Sequence, residues 1–81
     1  MAKTPPCKEG DIIELISMPY DPDPVPSGSR GTVVMDPVWV QDSWQIVVKW
    51  DVERSLSLCV PPDTFRILTE REIAEMAKEL P

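Results

Sequence analysis

The chain has 81 residues, which corresponds to one small domain. It carries 14 acidic and 8 basic residues, for a net charge of −6, and it has no histidine. Nucleic-acid binding draws much of its affinity from basic side chains that neutralise phosphates, so this acidic balance argues against DNA or RNA as a partner. The sequence also has no apolar stretch of 18 residues, which predicts that no segment spans a membrane.

The two cysteines, Cys7 and Cys59, bear on both metal binding and location. Without histidine or a Cys-x-x-Cys pair, the chain lacks the ligands of a structural zinc site, and we expect no metal or other cofactor. Two reduced thiols are favoured over a disulfide, since disulfide-stabilised domains have a denser set of cysteines. Because the N-terminal residues also lack the apolar run of a signal peptide, we expect a cytoplasmic protein.

The first predicted element is a β-strand that follows a flexible N-terminal lead-in over residues 1–9. The lead-in is polar and contains two prolines, and a Gly-Asp turn signal separates it from the run I-I-E-L-I-S-M. β-branched residues and the flanking glycine and proline favour a strand over a helix. Ile13 and Leu15 would then share one face, and Ile12 and Ile16 the other.

The segment from Pro19 to Ser29 is predicted to be an extended surface loop. It contains four prolines within eight residues, and each proline removes a backbone donor that a sheet would need. A loop of this length is either a functional loop or a stiff connector between two strands.

A hairpin is predicted between Gly28 and Trp50. Glycines at the start permit a tight turn into a strand from Thr32 to Met35. A connection over Val38–Ser43 then leads to the alternating run Q-I-V-V-K-W, which has Ile46, Val48 and Trp50 on one face.

Two further strands and a helix complete the predicted elements. Leu56, Leu58 and Val60 alternate in one strand and face the core, and residues 65–68 form a short last strand. Thr69 and Glu72 match the capping box that begins a helix. The apolar stripe of that helix either caps the open end of a barrel or mediates self-association, so we expect a monomer or a weak homodimer. The stripe consists of Ile73, Met76, Ala77 and Leu80.

These elements predict a mainly β protein, a small five-stranded SH3-like barrel with a C-terminal amphipathic α-helix. The predicted organisation is a lead-in over residues 1–9, a barrel over residues 10–68 and a helix over residues 69–80.

The chain resembles an uncharacterised family of small SH3-like proteins from bacteria, archaea and phages, a domain of unknown function. The resemblance lies in the runs G-D-I-I-E-L-I-S-M-P-Y-D-P-D-P-V-P-S-G-S-R-G-T-V-V, I-V-V-K-W-D and D-T-F-R-I-L, and it covers Gly10 to Leu68. It implies the fold but no known activity. Family members have a glycine shortly after W-D, whereas this chain has residues 52–54, V-E-R, which predicts a wider turn.

The candidate binding residues lie in the loops of the predicted barrel. Loop aromatics on a small barrel can form a groove for polyproline peptides or a cage for a methylated cation, although they can also cover the ends of the barrel. The aspartates of the long loop could bind a hard cation, but they are better explained as turn residues that bond to nearby backbone. The candidate partner-binding residues are Tyr20, Asp21, Asp23, Trp39 and Trp44.

The sequence predicts a non-enzymatic protein-binding module. Without histidine, a Ser-His or Cys-His nucleophile pair is excluded. The resemblance to phage proteins implies an accessory protein that modulates a host factor. The alternative is nucleic-acid binding, because G-S-R-G-T-V-V is similar to the strand start of KOW-type modules. That interface would use Arg30, Lys49, Arg54 and Arg66.

Overall fold

The computed structural model describes residues 4–79, in which seven β-strands precede one α-helix. The strands form two antiparallel sheets, which do not close into a barrel, with the orders β5-β2-β1-β7 and β3-β4-β6. The prediction of a mainly β protein with a C-terminal helix is therefore confirmed. The elements are β1 Ile12–Ser17, β2 Arg30–Val33, β3 Val38–Val40, β4 Ser43–Ile46, β5 Val48–Trp50, β6 Leu58–Val60, β7 Thr64–Ile67 and α1 Glu70–Glu79.

One long hairpin, which spans residues 30–50, connects the two sheets. β2 pairs with β5, and the N–H of Val34 extends that pairing by donating to the carbonyl of Val47 at 3.0 Å. Further along the same two segments, β3 pairs with β4, and Val38 lies opposite Gln45. From Val34 to Val38 the outgoing segment advances four residues, while from Val47 to Gln45 the returning segment advances two. The outgoing segment therefore contains extra residues and bulges between the two sheets.

The predicted number of five strands is wrong, and the reason lies at the tip of this hairpin. Gln41 and Asp42 form a two-residue turn with φ values of 47° and 64°. Two successive positive φ values are typical of the type I′ turn, whose twist suits a hairpin but which usually contains Asn-Gly. The predicted connection Val38–Ser43 therefore contains β3, and Val47 divides the returning strand into β4 and β5.

The core lies between the two sheets and follows the predicted alternation. Ile13 and Leu15 are 0% and 1% exposed, whereas Ile16 on the other face is 50% exposed. Leu58 is fully buried, and its neighbours Leu56 and Val60 pack partly buried against the core. The buried apolar side chains of the cluster are Cys7, Ile13, Leu15, Met18, Val25, Val33, Ile46, Val48, Trp50 and Leu58.

The helix begins at the predicted capping box. The N–H of Glu72 donates to the hydroxyl of Thr69 at 3.2 Å, and the N–H of Thr69 donates to the Glu72 carboxylate at 3.1 Å. Of the predicted apolar stripe, Ile73 and Met76 are half-buried and Ala77 is exposed, while Leu80 lies outside the described residues. None of the described side chains of the helix belongs to the core cluster.

Candidate functional site

The proline-rich loop from Pro19 to Ser29 presents an aromatic side chain to solvent. Tyr20 is 81% exposed. On its N-terminal side lies Met18, which is buried and accepts a 3.3 Å hydrogen bond from the N–H of Asp21. On its C-terminal side, Asp21 Oδ1 accepts a 2.9 Å bond from the N–H of Asp23. This Asx turn fixes the backbone directly after Tyr20.

The far end of the loop returns along β1 and is hydrogen-bonded to it. The Ser27 hydroxyl donates to the carbonyl of Ile16 at 2.8 Å. The N–H of Gly28 donates to the carbonyl of Leu15, and the N–H of Leu15 donates to the carbonyl of Ser29, both at 2.8 Å. Gly28 has a φ of 90°, a backbone conformation that this turn requires and that residues with a side chain rarely adopt. The loop therefore continues the hairpin between β1 and β2.

Val25 anchors the middle of the loop in the core. Its side chain is 1% exposed and belongs to the buried cluster, although the residues on either side of it are exposed. This contact was not predicted from the sequence. The signal that could have indicated it is one β-branched apolar residue within a run of prolines and aspartates.

Arg54 holds the loop from the side. Its guanidinium donates from Nη1 to the carbonyl of Pro24 at 3.4 Å and from Nη2 to the carbonyl of Asp23. The Asp23 carboxylate lies 3.5 Å from the same Nη2 atom. Arg54 occupies the turn where members of the resembled family have a glycine, and that departure was the available signal. The loop is thus fixed by backbone bonds, an apolar anchor and an arginine.

Trp39 and Trp44 form an aromatic pair at the tip of the hairpin. They lie opposite each other on β3 and β4, with ring centroids 5.2 Å apart and an angle of 67° between the ring planes. Trp39 is 37% exposed, and Trp44 packs partly buried against the core. Tyr20 lies in the proline-rich loop, outside this hairpin. The structure therefore brings together the two tryptophans, and separately Tyr20 with the two aspartates.

Most of the basic residues of the nucleic-acid alternative are bound by carboxylates. Glu14 on β1 accepts hydrogen bonds from Nε of Arg30 at 3.1 Å and from Nε of Arg66 at 3.2 Å. The hydrogen bond from Arg30, and to a smaller extent the one from Arg66, lowers the pKa of Glu14. Arg54 is similarly paired with the carboxylate of Asp23 in the proline-rich loop. Neutralised guanidinium groups contribute little to phosphate binding.

The same network connects the helix to the sheet. Arg66 of β7 donates through Nη1 and Nη2 to the two carboxylate oxygens of Glu72, and the Nη1 bond is 2.9 Å long. These hydrogen bonds from Arg66, and to a smaller extent the one from the N–H of Thr69, lower the pKa of Glu72 to about 2. The carboxylate that caps the helix is therefore also the one that attaches it to β7.

The cysteines are unpaired, and Cys7 is chemically protected. Burial, reinforced by the charges of Asp11 and Asp36, raises the pKa of the Cys7 thiol to about 11. The thiol is therefore protonated at neutral pH, whereas the thiolate is the nucleophilic form. Cys59 is half-buried.

The described residues contain neither a metal-binding group of side chains nor a helix that could span a membrane. Between residues 4 and 79, no three cysteine or acidic side chains are grouped so that they could hold a metal ion. In the same part of the chain, the helix is too short and too polar to cross a membrane.

Comparison with known proteins identifies the family. None of the curated proteins and none of the solved structures matches the chain significantly. The model of the family described as "Domain of unknown function (DUF4314)" matches residues 6–68. That range includes the proline-rich loop, the long hairpin and all seven strands of the described structure. The match covers well over half of the chain, which therefore belongs to the DUF4314 family of domains of unknown function.

Proposed function

We propose that this protein is a non-enzymatic binding module that recognises a basic segment of a partner protein through its proline-rich loop. The observation that carries the proposal is the position of Tyr20, which is 81% exposed on a loop fixed on both sides of it. A tyrosine held in this way offers a large contact area, and little freedom is lost when it becomes buried in an interface.

The charge around Tyr20 favours a basic partner. Asp21 follows Tyr20 directly, Asp23 stays highly exposed although it pairs with Arg54, and the whole chain carries a net charge of −6. Complementary charge increases the rate of association and disfavours acidic partners. The tryptophan pair of the hairpin provides a second apolar contact surface in this proposal.

We further propose an SH3-like arrangement of the strands. β1 pairs with both β2 and β7, and the bent hairpin passes from the first sheet to the second, as in a small barrel of that type. With this arrangement we propose a cytoplasmic accessory protein, of phage or other mobile-element origin, that modulates a host factor. The nucleic-acid alternative is less favoured, because Glu14 binds Arg30 and Arg66 and Asp23 binds Arg54.

Affinity capture from host lysate tests the proposal with three variants. We expect Tyr20→Ala and the double variant Asp21→Asn, Asp23→Asn to recover markedly less of the partner that the wild-type protein recovers, because they remove the aromatic contact and the charge. Asparagine at position 21 can still accept the Asx-turn hydrogen bond. Arg54 loses its charged partner at position 23 but still donates to the backbone carbonyls of residues 23 and 24, so the loop should keep its shape. Met35→Ala is the matched control, because Met35 is also an exposed apolar residue, but outside the loop.

The result that contradicts the proposal is recovery of the same partner by all three variants in the same amount. A Tyr20→Ala protein that unfolds several degrees lower but binds as before would make Tyr20 a structural residue and the loop a connector. Loss of binding in Met35→Ala alone would move the site to the hairpin.

A further inference from the structure

The helix α1 is too short to be stable without the sheets. It has ten residues, Glu70–Glu79, and isolated helices of fewer than about 12–15 residues are only marginally stable in water. Its capping box and its acidic first turn favour the helical state without removing this dependence. What keeps α1 helical is therefore its attachment to the rest of the protein.

One narrow face of α1 makes that attachment. Among the described side chains of the helix, Glu72, Ile73 and Met76 are half-buried and the others are exposed. Glu72 accepts hydrogen bonds from both Nη atoms of Arg66 on β7. Met76 lies at the side of a groove of about 290 Å³, whose sheet side includes Trp50 of β5. An ion pair and two half-buried apolar side chains thus hold the helix.

The two sheets have a core that does not include α1. Every buried member of the core cluster lies between residues 7 and 58. Leu68, which precedes the helix by two residues, is 4% exposed, and its N–H donates to the carbonyl of Ile12 at 2.8 Å. Thr69 follows directly and is exposed. A change of backbone conformation at Thr69 can therefore move α1 without disturbing β7.

We propose that α1 is a detachable arm, which leaves and rejoins the outer face of the sheet β5-β2-β1-β7 as one unit while both sheets stay folded. The ion pair of Glu72 with Arg66 sets the fraction of molecules in which the arm is attached. The physical basis is that segments with few buried apolar contacts open at a lower free energy than the core of the same protein. This inference is independent of the role proposed for the proline-rich loop.

Glu72 controls the arm because one carboxylate both caps the helix and attaches it. Its Oε1 atom accepts hydrogen bonds from Nη1 of Arg66 at 2.9 Å and from the N–H of Thr69 at 3.1 Å. Detachment breaks the bonds to Arg66, and an arm without support from the sheet also loses its helical structure. The arm is therefore either attached and helical or detached and unfolded.

Detachment would change the outer face of the sheet in size and in charge. The groove would lose Met76, so it would widen along its sheet side. Arg66 would keep Glu14 as a carboxylate partner but lose Glu72. The ten residues of the arm include four glutamates and two basic residues, so their net charge of −2 would leave with them. The detached state thus presents a wider and less acidic surface than the attached state.

Amide exchange, followed by NMR on the complete protein, tests the proposal. The amides of Ile73 and Ala77 report on the arm, and that of Leu15, which donates to the carbonyl of Ser29, reports on the sheets. We expect Ile73 and Ala77 to have similar protection factors, more than about tenfold lower than that of Leu15. Low concentrations of urea should accelerate the exchange of Leu15 but hardly that of the arm, because detachment exposes far less surface than unfolding does.

Two variants test the role of the ion pair. Glu72→Gln removes the charge that Arg66 binds but keeps an amide oxygen that can complete the capping box. It should accelerate the exchange of the arm amides by about fivefold or more and leave that of Leu15 unchanged. Glu70→Gln is the matched control, because it removes the same charge from the first turn but involves no ion pair within residues 4–79. It should accelerate the arm by no more than about twofold.

Three results would overturn the proposal. If the arm and Leu15 had equal protection and equal urea dependence, the helix would be part of the cooperative fold. If Ala77 exchanged fast while Ile73 was as protected as Leu15, the helix end would fray without detachment of the arm. Equal acceleration by Glu70→Gln and Glu72→Gln would assign the effect to the helix dipole and contradict the role given to Arg66.

Discussion

Replacement of Gly31 by alanine should lower the melting temperature by about 12–24 °C, the largest effect that we expect from one methyl group. A Cβ atom at Gly31 would lie 2.8 Å from the backbone oxygen of Lys49, 2.6 Å from Val48 Cγ1 and 3.1 Å from the ring of Trp50. The backbone oxygen cannot move by a change of rotamer, so β5 would have to separate from β2. Overpacking of this kind costs about 3 kcal/mol, and each kcal/mol lowers the melting temperature of so small a domain by about 4–8 °C.

The position of Trp50 explains why a glycine stands there. Gly31 and Trp50 are partners in the β2–β5 pairing, and the Trp50 ring is held by a 2.7 Å bond from Nε1 to the carbonyl of Leu56. A shift of β5 would also strain that bond. Thermal unfolding followed by circular dichroism measures the effect. The matched control is Gly10→Ala, where nothing lies within 4 Å and only the φ of 93° opposes a side chain. A Gly31→Ala melting temperature equal to that of wild type would contradict this account.

Replacement of Val25 by alanine should destabilise the protein by about 2 kcal/mol. The substitution removes two methyl groups from a side chain that is 1% exposed, and it leaves a cavity where the loop meets the core. Urea unfolding measures the loss. Because Val25 anchors the loop, we also expect faster exchange of the Gly28 amide, which donates to the carbonyl of Leu15.

Tyr20→Ala is the matched control for this prediction. Tyr20 lies in the same loop but is exposed to solvent, so its removal should change the free energy of unfolding by less than about 0.5 kcal/mol. Equal destabilisation by the two substitutions would mean that the loop packs differently from the arrangement described. An unchanged Val25→Ala protein would mean that the loop is not anchored in the core.

The sequence predicted the elements whose signals are local. The alternation of Ile13 and Leu15 against Ile16 predicted the buried face of β1, and Thr69 with Glu72 predicted the start of the helix. Both patterns arise from strand or helix geometry over a few residues. Family membership was also visible, because the proline and glycine spacing of the loop is distinctive.

The features that were missed depend on residues distant in the chain. Arg54 reaches the carbonyls of Asp23 and Pro24 across about 30 residues of sequence. The departure from the expected glycine marked this turn as unusual, but no local pattern indicated which segment Arg54 contacts. The type I′ turn was missed because Gln41-Asp42 is not the usual Asn-Gly pair. The grouping of the candidate site was predictable only in part. Trp39 and Trp44 meet because the two strands of one hairpin place them opposite each other, whereas Tyr20 lies in a different loop.

The role of the proline-rich loop is tested most directly by photocrosslinking in the host cells. The photoreactive amino acid p-benzoylphenylalanine would replace Tyr20 in one protein and Met35, an exposed residue outside the loop, in another. We predict one discrete covalent adduct with a host protein when the photoreactive residue is at position 20. At position 35, we expect that adduct to be absent or formed in much lower yield. The same adduct formed equally at both positions, or only at position 35, would contradict a binding site on the loop.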